Sequence, residues 1–475
     1  MEHRHKATWE AAVSTEMHFA SIIHDQVQQG WLVDKPRIHE LMEQLTEAME
    51  ELSAELEPRL PKCPMNKGEL KKVTPPKNQF LKDGTPSALC LKFFDEVIST
   101  EVGYMGVKEG VNYILPLTEP TLTRRPMLLK DNAHIKTYLQ QLGWKPTWYN
   151  ENKDGERTSP KTKHNGQLCP NLERLDHPVA KNITHFMSMR HRFALLNGLL
   201  KFIRPDGRIP SEMDTVGTAT FRVAHRKIAN FPNTESYFGV EIRSCFICPD
   251  DKILVSTDSD SCQMRMLAHY LMLVGASIDD KYIHAILYGT KKEDNDAHCI
   301  ARDLGGLGSR SEGKTLNYSI LFGQGDMSTG ERLGLSLRQT KAMKKIFFSN
   351  LPALPRLINE LTMRWEANGY LTGLDGRPIA CDSEHKLLNY ALQSGEAIYM
   401  KVVNCFIDKE IKRRGLDAQQ VCFYHDELTH ECSKADADKV AEIHEWAMIQ
   451  AGKWLNVLVP MTGKAAQGSS WAAIH

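Results

Sequence analysis

The sequence lacks an excess of charge of either sign, because 59 basic residues stand against 59 acidic ones in a chain of 475 residues. Such a chain has no overall field to attract nucleic acid, so contacts of that kind must come from local basic patches. It also lacks an apolar run of the ~20 residues that span a bilayer, and its start, MEHRHKATWE, has no signal-peptide core. These absences predict a cytoplasmic protein without a membrane partner.

The cysteines lack the spacing that a zinc site requires. Eleven are scattered along the chain, Cys245 and Cys248 form one CxxC, and no second pair stands at a matching distance. This pattern favours reduced, mostly buried thiols over a metal site and fits a reducing compartment. The length predicts two to four subdomains.

The most informative stretch is LVSTDSDSCQMRMLAHYL, residues 254–271. An apolar run predicts a buried strand that ends at Asp258, after which apolar residues recur at helical spacing. A carboxylate beside a core strand is costly unless it is paired or holds a cation. The candidate partner lies in VCFYHDELTHEC, residues 421–432, where two short strands flank a turn that presents Asp426 and Glu427. Asp258 and Asp426 together predict an oxygen-lined site for hard divalent cations such as Mg²⁺.

The segments before this stretch give weaker signals. Residues 2–57 predict two helices separated at Gly30. Residues 59–82 carry basic residues, prolines and a lone Glu69, which predicts an extended basic segment that follows a phosphate backbone or is a solvated loop. We expect a mobile loop over residues 151–167, a helix with a basic side over 182–204 and broken strands over 207–246.

A further stretch, residues 296–325, lies between the two carboxylate stretches. Arg310, Lys314, Tyr318 and Phe322 stand four apart, a step of about 400° that keeps them on one stripe of a helix. The basic pair comes first, where the helix dipole and free N–H groups also favour anions. On spacing alone this is a plain amphipathic helix, but its position favours a nucleoside triphosphate site, with cations for phosphates and aromatic faces for sugar and base.

These stretches together resemble family A DNA polymerases, in order and in spacing. Residues 258–269 resemble the first palm motif of that family, RSEGKTLNYSILFG (residues 310–323) its fingers helix, and YHDEL (residues 424–428) its last palm motif. Other segments resemble the podophage replicative branch: residues 373–397 its connecting segment, residues 217–225 its primer-touching strand, and EHRHKATWE and QGWLVD the entry to its thumb. The resemblance covers nearly the whole chain.

The resemblance implies an α+β fold, a right-hand polymerase with a thumb, a palm built on an antiparallel sheet and helical fingers. The expected segments are thumb and N-terminal helices at 1–205, a first palm segment at 206–274, fingers at 275–370 and a second palm segment at 371–475. Residues 59–117 occupy the place where some phage relatives carry an insertion that captures a processivity factor. Either they are such an element or they belong to the thumb itself.

The family also implies a metal site. Asp258, Asp426 and the backbone carbonyl of Ser259 would hold two Mg²⁺ ions, for which Mn²⁺ can substitute. One ion would lower the pKa of the primer 3′-hydroxyl, and the other would bind the triphosphate and the leaving pyrophosphate. Glu427 would support these residues.

The nucleotide contacts follow from the same resemblance. Arg310, Lys314 and His298 would grip the triphosphate as fixed cations. Tyr318 would stack near the sugar and base, and a tyrosine there implies tolerance of dideoxynucleotides. The residues implied to bind DNA are Arg222, Asn230, Asn389, Gln393 and His425. All but Asn230 would contact primer and template in the minor groove, where acceptors are similar for all correct pairs.

The sequence departs from the family at a few of these positions. Gln263 stands where relatives have glutamate and Phe322 where they have tyrosine, two residues that are hydrogen-bonded in relatives and close the space beside the sugar 2′ position. Phe322 has no hydroxyl to bond, which predicts weaker discrimination against ribonucleotides. Phe221 replaces a glycine before the primer-contacting arginine, and His385 replaces an arginine of cellular relatives.

The predicted activity is template-directed addition of dNTPs to a primer on DNA, in phage replication and thus in a host cytoplasm. Relatives carry an N-terminal 3′→5′ exonuclease domain that this sequence does not show, so we expect a separate exonuclease as a partner. One alternative is a ribonucleotide-tolerant or single-subunit RNA polymerase-like enzyme. Another is a catalytically silent subunit that binds primer-template.

Overall fold

The computed structural model describes residues 8–164 and 167–475, in which long helices alternate with short strands. The α-helices are α1 (Trp9–Gln29), α2 (Lys35–Leu56), α3 (Lys67–Val73), α4 (Ala88–Phe93), α5 (Asn132–Gln141), α6 (Pro170–Glu173), α7 (Pro178–Leu200), α8 (Gly239–Ser244), α9 (Cys262–Leu273), α10 (Lys281–Tyr288), α11 (Ala297–Gly305), α12 (Arg310–Leu321), α13 (Asp326–Leu333), α14 (Leu337–Asn350), α15 (Ala353–Asn368), α16 (Leu387–Arg414) and α17 (Ala437–Trp454). The strands are β1 (Trp31–Leu32), β2 (Lys62–Pro64), β3 (Glu96–Thr100), β4 (Gly103–Lys108), β5 (Val111–Ile114), β6 (Arg124–Pro126), β7 (Trp148–Glu151), β8 (Arg157–Lys161), β9 (Lys163–His164), β10 (Gln167–Leu168), β11 (Arg208–Ile209), β12 (Met213–Asp214), β13 (Ala224–His225), β14 (Lys252–Ser259), β15 (Tyr370–Thr372), β16 (Pro378–Ala380), β17 (Ala418–Tyr424), β18 (Glu427–Ser433) and β19 (Gly463–Gly468).

The chain divides into two compact units. One unit runs as far as Gln44 and resumes at Arg192, and the other is Leu45–His191. Within the described ranges, no helix has both the length and the apolar character needed to cross a bilayer. The cysteines are free and, apart from Cys381, buried, which confirms the prediction of reduced, buried thiols.

The first unit is built on a four-stranded antiparallel sheet in the order β17-β18-β14-β19. Residues 254–257 of β14 are all buried, because β14 is an inner strand with α17 packed against it. Behind the sheet, apolar side chains of α9, α16 and α17 form one core, which includes Met266, Ile398 and Ile443. The register sets Asp258, near the end of β14, opposite Glu427 of β18 and Lys464 of β19.

The helices of the first unit between β14 and β15 include α11 and α12, which lie in close contact. Each begins with a side-chain cap, at Asp296 for α11 and at Ser309 for α12, where Glu312 completes a capping box. A Cβ at Gly313 would lie 2.1 Å from the His298 carbonyl oxygen, so only glycine allows this close approach. The two helices therefore hold a fixed relation to each other.

The second unit has its own small core. Cys90, Phe94 and Leu115 are buried together beside the β3-β4-β5 sheet. A Cβ at Gly106 of β4 would lie 2.6 Å from the Phe94 ring, so this glycine lets the ring lie against the strand. The Arg125 guanidinium binds Glu69 at 2.7 Å and Asp131 at 2.7 Å.

The two N-terminal helices are confirmed over the described residues, with the break at Gly30, where φ is 65°. The extended basic segment over 59–82 is wrong in its middle, because Asn66 and Glu69 form a capping box that starts α3. The loop predicted over 151–167 is wrong over residues 157–161, which form β8 and pair with β7, and residues 165 and 166 of it lie outside the described part of the chain. Residues 207–246 contain two-residue strands, as expected, but also α8.

Candidate active site

The β17-β18 hairpin brings the two predicted carboxylate stretches together. Its turn is His425-Asp426, with His425 at a left-handed φ of 61°. The Ser259 N–H donates to the Asp426 carbonyl oxygen at 3.1 Å, so the turn is bonded to the end of β14. Asp258 and Asp426 consequently share one end of the sheet, as the sequence predicted.

The crowding of acidic groups at this end of the sheet raises the pKa values of two of them. Removal from solvent, followed by the charges of Asp426 and Glu427, raises the pKa of Asp258 to about 8, although the Asp258 side chain still reaches solvent. Burial also raises the pKa of Asp426, an effect that Arg222 opposes. The carboxylates thus repel each other, and a nearby cation would relieve that repulsion.

Glu427 differs from its neighbours because it is buried and fully bonded. Its side chain accepts from Ser256 Oγ at 2.9 Å and from Trp471 Nε1 at 3.2 Å, and it lies 3.0 Å from His475 Nε2. Burial would raise the pKa of Glu427, but His475 and Ser256 lower it. Glu427 is therefore an ionised, fixed group behind the two aspartates.

The donors available to a metal are oxygens. In residues 8–164 and 167–475, no group of three or more His, Cys, Asp or Glu side chains is placed to hold a metal ion. Asp258, Asp426 and the Ser259 carbonyl are hard ligands that suit Mg²⁺, which keeps several waters and needs few protein ligands. The Ser259 Oγ is buried and bonds to none of the described residues.

The basic end of α12 is held in place by a carboxylate of α11. The Arg310 Nε donates to Asp296 Oδ2 at 2.8 Å, and Arg310 Nη2 bonds the same oxygen. Asp296 also accepts from the His298 and Cys299 N–H groups at 3.0 Å. Burial alone would raise the pKa of Asp296, but the bonds from Arg310 and Cys299 lower it to about 2. Lys314 is exposed and forms no ion pair with any described residue.

His298 lies beside this pair but is uncharged. Burial, followed by the charge of Arg310, lowers the pKa of His298 to about 4. The Asn317 amide nitrogen is 3.0 Å from His298 Nδ1, which leaves Nε2–H as the ring donor. Burial thus opposes the predicted positive charge of His298, and its role at a triphosphate stays a prediction.

The aromatic pair of α12 completes the stripe. The Tyr318 and Phe322 rings stack with centroids 5.6 Å apart, and the His298 ring is 5.8 Å from Tyr318. Burial raises the pKa of Tyr318, with further contributions from the charges of Asp426 and Glu396. The Tyr318 hydroxyl therefore lies within electrostatic range of these two carboxylates. Gln263, in the first turn of α9, is half-buried.

The predicted DNA contacts are only partly brought together. Arg222 forms an ion pair with Glu396, and Gln393 accepts from Thr220 Oγ1 at 3.4 Å. The side chains of Asn389 and Asn230 form no hydrogen bond within the described residues, and Asn230 is exposed at a φ of 56°. Gln393 and Asn389 lie one helical turn apart on α16.

Phe221 stands in the backbone conformation that the glycine of relatives would favour. Its φ is 62°, and its ring is covered by the Arg377 guanidinium at 4.7 Å and by Lys401 Nζ at 6.0 Å. The left-handed conformation costs a non-glycine residue roughly 1–3 kcal/mol. Cation–π contacts offset some of this cost.

Sequence reasoning missed the residues that hold the predicted site residues in place. Asp296 orients Arg310, Asn317 orients His298, and Glu396 binds Arg222. Only Asp296 had a local signal, because an aspartate just before a helix predicts an N-cap. The other two belong to helices whose packing the sequence does not reveal.

Comparison with known proteins gives consistent relatives. The DNA-directed DNA polymerase of Escherichia phage Phieco32 is 27% identical over 360 residues, which cover 60% of this chain and 58% of the relative. The DNA-directed DNA polymerase of Escherichia phage T7 is 25% identical over 72% of this chain and 52% of the relative. DNA polymerase I of Aquifex aeolicus is 26% identical over 56% of this chain and 46% of the relative. The chain thus spans about half the length of the curated relatives it matches.

A solved structure and a family model extend this comparison. The POL domain of Pol1 from M. smegmatis, in complex with DNA primer-template and dNTP, has a TM-score of 0.67 and 18% identity, covering 97% of this chain and 70% of that one. This likeness confirms the α+β, right-hand fold. The model of DNA polymerase family A matches residues 128–473, a range that holds both carboxylate strands and α12. The protein therefore belongs to DNA polymerase family A.

Proposed function

We propose that this protein is a DNA-directed DNA polymerase that adds deoxynucleotides to a primer 3′ end by nucleotidyl transfer. The observation that carries the proposal is the hairpin that sets Asp426 beside Asp258, where the Ser259 N–H donates to the Asp426 carbonyl oxygen. Family A membership supports it, as do phage relatives named DNA-directed DNA polymerase.

Asp258, Asp426 and the Ser259 carbonyl are the residues that would hold divalent metal, for which the mutual repulsion of the two carboxylates is the physical reason. Two Mg²⁺ ions, or Mn²⁺ in their place, would supply an acidified primer hydroxyl and charge neutralisation at the pyrophosphate. Glu427, fixed by Ser256 and Trp471, would keep the hairpin in register behind them.

The nucleotide would be bound by α12. Arg310, already oriented by Asp296, and the free Lys314 would meet the phosphate charges. His298 would donate a hydrogen bond through Nε2, and Tyr318 would offer a ring face to the sugar and base. Most of the catalysis in phosphoryl transfer comes from such fixed positioning and charge.

Primer and template would be contacted from the palm. Arg222, His425, Gln393 and Asn389 supply donors that suit the minor-groove acceptors shared by all correct pairs. Asn230 is exposed next to Phe231, whose N–H donates to the Tyr424 hydroxyl, and would contact DNA from there. Base pairing with the template then gives the specificity, and the protein checks shape.

Sugar selectivity is the place where this chain would differ from relatives. Gln263 is uncharged and Phe322 is 38% exposed and lacks a hydroxyl, so they cannot form the acid–phenol bond of relatives. We expect the double variant Gln263→Glu, Phe322→Tyr to raise the dNTP-over-rNTP ratio of kcat/KM by about tenfold. An unchanged ratio in that double variant would show that the two departures carry no selectivity.

A processivity factor is a further proposal, which concerns the second unit alone. Residues 59–117 expose the apolar side chains Leu89, Val102 and Ile114, at 60%, 98% and 84%. Val102→Asp with Ile114→Asp should shorten products made in host extract and leave those of purified enzyme unchanged. Equal product lengths in extract would assign the segment to the unit's own fold. A separate exonuclease stays a prediction.

The test of the function is single-turnover extension of a primed DNA template with Mg²⁺ or Mn²⁺, comparing dNTPs with rNTPs. Addition of dNTP that disappears in Asp426→Ala supports the proposal. A preference for rNTP would favour an RNA polymerase-like enzyme. Tight primer-template binding with no addition in either metal would favour a silent binding subunit.

A further inference from the structure

A buried carboxylate outside the predicted set lies between three regions of the site. Glu396 belongs to α16, and its side chain is only 4% exposed. A carboxylate in such a place is strongly destabilising unless charged and polar partners surround it. Its partners therefore indicate what it does.

The first partner is Arg222. The Arg222 Nη2 lies 2.6 Å from Glu396 Oε1 and 2.5 Å from Oε2, so one nitrogen bridges both oxygens. The Arg222 Nε is buried and has no hydrogen-bond partner among the described residues. The ion pair thus fixes a long, flexible side chain while some of its donors stay unused.

The second partner is Gln263, on the turn of α9 that follows Asp258. Burial raises the pKa of Glu396, and Arg222 and a side-chain hydrogen bond from Gln263 act against this rise. Gln263 therefore lies near the Glu396 carboxylate, which can only accept, so its amide N–H is the group that would bond it.

Glu396 is also close enough to the reacting end of the site to act on it electrostatically. Its charge contributes to the raised pKa of Tyr318, and the charge of Asp426 contributes to that of Glu396. A small cavity of about 10 Å³ between Arg222, Glu396 and His425 continues this cluster. The primer-side, sugar-side and carboxylate groups therefore meet around one glutamate.

We propose that Glu396 is a positioning residue that fixes Arg222 for the primer end and Gln263 for the sugar of the incoming nucleotide. The inference rests on the proposed function and adds to it a residue through which two selectivity checks are coupled. Removing the carboxylate should loosen both checks together, even though Glu396 touches neither substrate.

The experiment compares Glu396→Gln with Glu431→Gln in single-turnover extension with Mg²⁺. Glu431 is a matched control, because it is likewise 4% exposed and binds Arg208 through both oxygens, at 3.1 and 2.9 Å. We expect Glu396→Gln to lower kcat/KM for the correct dNTP about tenfold, to lower the dNTP-over-rNTP ratio, and to raise extension from a mismatched primer end relative to a matched one. Glu431→Gln should lower Tm and leave both ratios unchanged.

Combined variants separate positioning from plain stability. Adding Glu396→Gln to Arg222→Ala should change mismatch extension little further, and adding it to Gln263→Ala should change the sugar ratio little further, because residues acting as one unit are non-additive. If Glu396→Gln fails to fold, Glu396→Asp keeps the charge at a shorter reach and should give intermediate ratios. Wild-type ratios in the glutamine or aspartate variant would overturn the inference while the function stands. Absence of extension by the wild-type protein would overturn the function and the inference with it.

Discussion

Two aspartates on opposite sides of the candidate site show opposite environments. At the carboxylate end of the sheet, burial and like charges raise the pKa of Asp258 to about 8. At the start of α11, burial acts in the same direction on Asp296, but Arg310 and two backbone N–H groups lower its pKa to about 2. At the first end like charges outweigh the nearby Arg222, whereas the second end carries a cation, Arg310, that is already oriented.

This contrast predicts different roles for the acidic end of the sheet at Asp258 and for the Asp296–Arg310 pair. A crowded acidic end is destabilised by its own repulsion, as functional sites often are, and a bound cation would relieve it. A paired basic end is preorganised, so that little reorganisation is needed when phosphate charge develops. Substitutions that reverse either environment should therefore have different signatures in rate, in KM and in stability.

The largest effect is expected from Asp426→Asn. Removing one of the two carboxylates should lower the single-turnover rate by about a thousandfold or more, because the metal loses an essential ligand. The same change should raise the free energy of unfolding in metal-free buffer by roughly 1 kcal/mol, because it removes like-charge repulsion. Quench-flow and thermal unfolding with EDTA measure the two quantities.

Asp260→Asn is the control, since this exposed neighbour accepts from Thr462 Oγ1 at 2.7 Å, adds the least of the nearby carboxylates to the raised pKa of Asp258 and is not among the expected metal ligands. Its rate should stay within about threefold of wild type, as expected of a surface substitution. A metal-free Asp426→Asn protein less stable than wild type would contradict the repulsion at this end.

The next effect is on the paired end. Asp296→Asn should free the Arg310 guanidinium and raise KM for dNTP about tenfold, with primer-template affinity unchanged, because a misoriented cation costs binding and positioning. Asp294→Asn is matched to it, because Asp294 binds the nearby Arg302 at 2.8 Å on the surface. Equal KM values in the two variants would show that Arg310 needs no orienting partner.

Much of this arrangement was predictable from sequence, and the reason is local. The strand ending at Asp258, the hairpin at Asp426 and the four-residue spacing of α12 are encoded in short apolar and turn patterns, and the structure reproduces them. The Arg222–Glu396 pair joins residues 174 positions apart. The packing of the helices brings these two residues together, and short sequence patterns carry no information about that packing.

The charge state of His298 shows the same limit. We expected His298 to be a cation beside Arg310, yet burial lowers its pKa to about 4. Desolvation depends on the whole packed environment, so no spacing rule reveals it. Because its pKa depends on desolvation, titration of His298 reports how tightly the surrounding residues are packed.

His298 predicts an acid sensitivity of the paired end. Its pKa is about 4 in the folded protein against an ordinary 6.5, so between these values the unfolded chain binds more protons and stability falls as pH falls. From pH 7 to pH 5 this one group should cost about 2 kcal/mol. His298→Asn should therefore lose less stability than wild type over that interval in urea unfolding. Parallel losses in the two proteins would show that the ring is not desolvated.

The smallest expected effect concerns the backbone conformation at Phe221, which differs from that at Gly313. The close approach at α12 is made by Gly313, whereas before Arg222 a phenylalanine, Phe221, occupies a left-handed φ of 62°. Both Phe221→Gly and Phe221→Ala remove the contacts of the ring with Arg377 and Lys401. Only glycine is free of strain there, so Phe221→Gly should be more stable than Phe221→Ala by about 1 kcal/mol, the reverse of the usual order. Urea unfolding of the two variants measures the difference. An alanine variant equal to or more stable than the glycine variant would mean that the backbone before Arg222 relaxes out of this conformation.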